Sequence, residues 1–163
     1  MTPAAGLFAA WSSADGTHAN SQIKFSTRAF ASAGWSPAAY ASDEPQAPQS
    51  YPAAAADSIG SVYVLWSGSD SVNSAVNVKG SVYDGSSWDM IDKLTDETTG
   101  YQTFASLRWS GWRNNGGGLD VLWNTWDGVS STAALRHMQG PDVPMSPGWS
   151  AVEWPKPAEC AFA

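Results

Sequence analysis

The sequence predicts an all-β chain assembled from repeats, and three observations predict it. A seven-residue beat recurs as "WSSADGT" from Trp11, "WSGSDSV" from Trp66 and "WNTWDGV" from Trp123, 55 and 57 residues apart. Each beat ends a short apolar run bounded by Gly or polar residues: "GLFAAW", "SVYVLW" and "GLDVLW". Runs of this length and composition read as strands buried on both faces. Each beat is followed by a polar turn and an alternating stretch, the mark of a strand with one wetter face.

The elements follow in order. "QIKFSTRAF" sets Ile23, Phe25 and Thr27 against Lys24, Ser26 and Arg28. "AVNVKGSVY" sets Val76, Val78 and Val82 against Asn77, Lys79 and Ser81, and "TAALRHMQ" is a weaker third copy. Each copy then reaches a second Trp: Trp35, Trp88 and Trp149. A further strand, "YPAAAAD" from Tyr51 or "YQTFASLRW" from Tyr101, opens the next copy. No segment sustains a 3.6-residue period, so helix is not expected.

Four short strands repeating at roughly 55 residues suggest blades of a β-propeller. The expected units are about 6–50, 51–100 and 101–154 within a single domain spanning 1–163. One blade cannot cover its own faces, so such sheets stack. The first unit lacks an inner strand before "GLFAAW". Three units are too few for a ring, since closed propellers need about 4–8. Two chains would give a six-bladed ring, with "AECAFA" in 155–163 of each serving as closing strand for the other. A portion of a longer propeller is the alternative.

Residues 51–88, "YPAAAADSIGSVYVLWS…VNVKGSVYDGSSWD", carry a family resemblance. They resemble a blade of the sialidase-like, Asp-box (BNR-repeat) propellers. Ser81, Gly85 and Trp88 fall at the Asp-box spacing, whereas Asp84 stands one place late, with Tyr83 where the Asp belongs. "YDGSSW" is also similar to the "WDGSSW" element of several lectin propellers. The resemblance implies a propeller that binds glycans, or a fragment of a sialidase-type glycoside hydrolase. Sialidases of this fold use three clustered Arg. Arg28, Arg108, Arg113 and Arg136 are the only Arg residues here, and none sits in the usual Arg-Ile-Pro context. No carboxylate pair is singled out for glycoside hydrolysis.

Composition bounds the rest. Hydrophobic residues make up 43% of the 163 and Trp occurs ten times, which opposes disorder. A net charge of −7 opposes nucleic acid and anionic membrane as partners. No apolar run approaches the ~18 residues of a membrane-spanning helix. The single Cys160 cannot form an internal disulfide. His18 and His137 are not spaced as metal ligands, and no cofactor is expected, although the Asp-rich rim is compatible with Ca²⁺. An extracellular or cell-surface location is favoured, without a visible signal peptide.

In propeller topology the turns after the second and fourth strands of each unit share one face. That face would gather Asp15, Asp70 and Asp127, with Trp126, Tyr51 and Tyr101 and the acids of "ASDEP" and "TDETT". Carboxylates beside aromatic rings suit sugar hydroxyls and the apolar sugar face. The same Asp residues are equally placed to form turns, and the loop acids to solvate the rim. A non-catalytic glycan-binding or assembly module, most simply a homodimer, is the expected function.

Overall fold

The structure, a computed structural model, describes residues 6–31, 34–42, 44, 46–57, 60–69, 75–89, 92–110, 118–126 and 133–140. Ten strands and no helix occur among them. They form three antiparallel sheets. The first joins β1 (Gly6–Ser13), β2 (Gln22–Ala29) and β3 (Ala39–Tyr40). Its neighbour joins β4 (Gln49–Ala56), β5 (Val62–Gly68), β6 (Asn77–Tyr83) and β7 (Asp92–Lys93). The third joins β8 (Tyr101–Ser110), β9 (Gly118–Trp126) and β10 (Ala134–Gly140). The second Trp of the third unit, Trp149, and the expected closing strand 155–163 lie outside the described residues.

Two apolar layers hold the sheets together, and β5 serves both. Val64 and Trp66 face Ile23 and Phe25 of the first sheet and Ala41 just beyond it. Tyr63 and Leu65 face Leu119, Val121 and Trp123 of the third. Strand alternation divides neighbouring residues between two cores, which is why "VYVLW" carries no polar face. Here the sequence expectation for β6 fails. Asn77, Lys79 and Ser81 were expected on a wetter face, yet all three are buried. Sandwiched between two sheets, β6 has no wet side, so each polar group is satisfied internally. Ser81 Oγ donates to Asp89 O at 2.7 Å, and the other two are bonded as described below.

The repeat is a repeat of hydrogen bonds. Trp11 pairs with Lys24, Trp66 with Lys79 and Trp123 with Arg136 in the ladders. Ser26 Oγ donates to Ser36 O at 2.7 Å, as Ser81 Oγ does to Asp89 O. Ser42 Oγ accepts from Ile23 N–H, and Thr95 Oγ1 accepts from Val78 N–H. Strands β4 and β8 are phased differently from expectation. Gln49 lies opposite Gly68 and Gln102 opposite Thr125, each two places after the repeated Trp. Tyr51 therefore corresponds to Phe104, and not to Tyr101. Both strands carry a register shift there, between Ser50 and Ala53 and between Thr103 and Ser106. The sequence did not show this bulge, because "SYP" and "TFA" share only an aromatic residue.

The turn from Asp84 explains the "DGSSW" element. Asp84 Oδ1 accepts from the N–H groups of Ser86 and Ser87 and from the Ser86 hydroxyl. Gly85 takes φ 99°, a value that favours glycine. These donors, the Ser87 and Ser86 amides first, hold the Asp84 carboxyl down at about 2. A carboxylate depressed on folding stabilises the fold above its unfolded pKa of about 3.9 and loses that contribution as pH falls. The urea midpoint of Asp84→Ala should therefore lie furthest below wild type at neutral pH. The gap should close between pH 4 and pH 2.

Candidate functional site

One end of the three sheets gathers the β1–β2 turn, the starts of β4, β6 and β8, and the ends of β5 and β9. Two loops cross this end from one sheet to the next, and both are clamped alike. Gln22 Nε2 donates to Glu44 O, and its Oε1 accepts from Glu44 N–H and the Ser42 hydroxyl. Asn77 Nδ2 donates to Glu97 O, and its Oδ1 accepts from Glu97 N–H and the Thr95 hydroxyl. The buried amide fixes the backbone of Glu44 or Glu97 and so aims its side chain.

Each glutamate reaches a cation on the following sheet. Glu44 receives both carboxylate contacts of Lys79 Nζ, at 2.7 and 2.8 Å. Lys79 is 1% exposed, and its third proton goes to Ser69 O at 2.9 Å. Glu97 accepts from Arg136 NH1 at 2.8 Å. In the first unit the corresponding cation, Lys24, is held by Asp15 of its own turn, Nζ to Oδ2 2.8 Å. Asp15 Oδ1 also accepts from Thr17 and His18 N–H, and Oδ2 accepts from the Tyr40 hydroxyl. Lys24 above all, then Tyr40, keeps the Asp15 carboxyl far below the usual carboxylate range. Accepting that bond, Asp15 raises the Tyr40 phenol. Asp15 thus forms its turn and an ion pair at once.

The repeated Trp has a partner that sequence reading missed. Trp66 Nε1 donates to Gln49 Oε1 at 2.8 Å, and Trp123 Nε1 donates to Gln102 Oε1 at 2.9 Å. Gln49 Nε2 goes on to Ala47 O and Ser69 O. Its amide lies so close to Gly68 that a Cβ there would collide with it. The signal was present in the chain: Gln49 follows Trp35, and Gln102 follows Trp88, by the same 14 residues.

Aromatic rings meet near this end in two pairs. Tyr101 and Trp126 are opposite one another in the ladder and stack at 5.5 Å with planes 16° apart. Tyr101 is 51% exposed. Tyr51 and Phe104 meet at 4.5 Å across neighbouring sheets, 51% and 57% exposed. They are the two non-glycine residues with positive φ among those described, 55° and 56°. A side chain in that region costs about 1–2 kcal/mol relative to ordinary backbone. Of the six residues expected at a ligand site, the structure pairs Tyr101 with Trp126, puts Tyr51 on Phe104, and engages Asp15 internally. Asp70 and Asp127 lie outside the described residues. Phe104 was missed, because its phase depends on the bulge.

Among the described residues no group of three or more His, Cys, Asp or Glu side chains could hold a metal ion. No helix there is long and apolar enough to cross a membrane. Neither a family model, nor a curated protein, nor a solved structure matches the chain.

Proposed function

We propose that the chain is a non-catalytic carbohydrate-binding module of propeller type, its three sheets acting as successive blades. The nearly parallel Tyr101–Trp126 stack, with Tyr101 exposed and Trp126 half-buried, carries this reading. A flat aromatic surface at a polar rim suits the apolar face of a pyranose, while rim amides and carboxylates serve its hydroxyls. Glu44 and Glu97, two acids of this end, are already committed to Lys79 and Arg136. That commitment favours binding over hydrolysis.

The assembly state belongs to the same proposal. Stacked sheets of this kind are completed by further units, supplied by a second copy or by more of the same repeat. A solution mass near twice 17.2 kDa would support the dimer.

A glycan array followed by titration of any hit tests the binding reading. Trp126→Ala should weaken a bound glycan by about threefold to tenfold, the scale of one aromatic contact, with an unchanged melting profile. An array without hits, or a glycan indifferent to both Trp126→Ala and Tyr101→Ala, would contradict it.

A further inference from the structure

Among the described residues the first sheet is built like the second without a counterpart of β4. β1 has β2 on one side and, among the described residues, no strand on the other. The effect is visible in burial: β5, flanked by β4 and β6, is buried from Tyr63 to Gly68, whereas β1 is half-buried at most, with Leu7 46% exposed. Trp11 occupies the position of Trp66 and Trp123, yet among the described residues no glutamine lies opposite to accept from its indole. Ser13 stands where Gly68 and Thr125 stand.

We propose that the free edge of β1 receives one occupant: a strand of the Gln–(Ser/Thr)–aromatic class from a further unit of this repeat. The glutamine would accept from Trp11 Nε1, as Gln49 and Gln102 accept from Trp66 and Trp123. Addition of a strand to an open edge pairs its backbone groups and seats its alternate side chains, a common mode of recognition. The β8 type fits better than the β4 type. Gln49 needs glycine opposite it, whereas Gln102 coexists with Thr125, so a Cβ at Ser13 is tolerated. Residues 155–163 fit less well. Counting 14 residues from Trp149 reaches Ala163, so in sequence this segment aligns with 41–49 and 94–102 and carries an alanine where Gln49 and Gln102 stand.

The inference rests on the repeat and not on carbohydrate binding, so a glycan array without hits leaves it standing. Its test is titration of the full chain with three synthetic peptides by calorimetry, with the Trp11 indole N–H followed by NMR. The peptides are residues 101–109 (YQTFASLRW), the same peptide with Gln→Ala, and residues 155–163 (PKPAECAFA). The first should bind and shift the Trp11 indole signal. Its Gln→Ala form should bind on the order of fivefold more weakly, as should the parent peptide to Trp11→Phe, since each lacks one buried hydrogen bond. The peptide change leaves the protein intact, so it remains decisive if Trp11→Phe fails to fold. Failure of 101–109 to bind, indifference to the glutamine, or preference for 155–163 would each overturn the proposal.

Discussion

Trp66→Ala is expected to lower stability by about 3–5 kcal/mol, the range for removing a large aromatic from a packed core. Trp66 is fully buried, it fills the layer between the first two sheets, and it is the donor to Gln49. Its loss leaves a cavity and also leaves the buried Gln49 Oε1 without its donor, and both effects have the same sign. Trp11→Ala, at the corresponding place, should cost only about 1–2 kcal/mol, because Trp11 is half-buried and has no glutamine acceptor among the described residues. Urea unfolding of the two variants checks the contrast. Equal losses would mean that β1 is covered as β5 is.

Glu44→Ala should cost about 2–3 kcal/mol, more than surface ion pairs generally do. Lys79 is almost completely buried, and Glu44 supplies two of its three contacts. Removing the acid leaves an ammonium group in a site it cannot leave. The loss falls short of that of a fully buried pair because the Glu44 side chain is 28% exposed, so water already screens the pair in part. Lys79→Met should cost less than Glu44→Ala. It replaces the stem by one of similar volume, and the half-open carboxylate it strands can turn to solvent. Urea unfolding at neutral pH reads both.

The strands were largely legible because strong local signals mark them. Alternation in "QIKFSTRAF" and the apolar run of "SVYVLW" place β2 and β5, whose bounds lie within two residues of those runs. The polar face of β6 could not be read as buried, since what buries it is the neighbouring sheet and a loop 35 residues earlier in the chain. The same limit applies to the site. Tyr101 and Trp126 were recognisable as aromatic residues at turns, but their stacking is set by a ladder register that pairs residues 25 apart. Phe104 was invisible for a different reason: its role depends on a left-handed residue and a bulge, and local sequence does not favour either at an aromatic. The two glutamines were marked only by their shared spacing from Trp35 and Trp88, which does not show the indole that each one meets. Asp15, by contrast, forms the turn that its spacing from Trp11 suggested, and its ion pair with Lys24 follows from the β1–β2 hairpin.

Head-to-tail interlocking of the units, in which the glutamate of one clamped loop completes the cation of the next sheet, is tested most directly by a double-mutant cycle on Glu44 and Lys79. The expected result is rescue: Glu44→Ala combined with Lys79→Met should be more stable than Glu44→Ala alone, because the second change removes the buried charge that the first leaves unpaired. Losses that simply add, with the double variant the least stable of the set, would show that the pair is not coupled and would contradict the interlock.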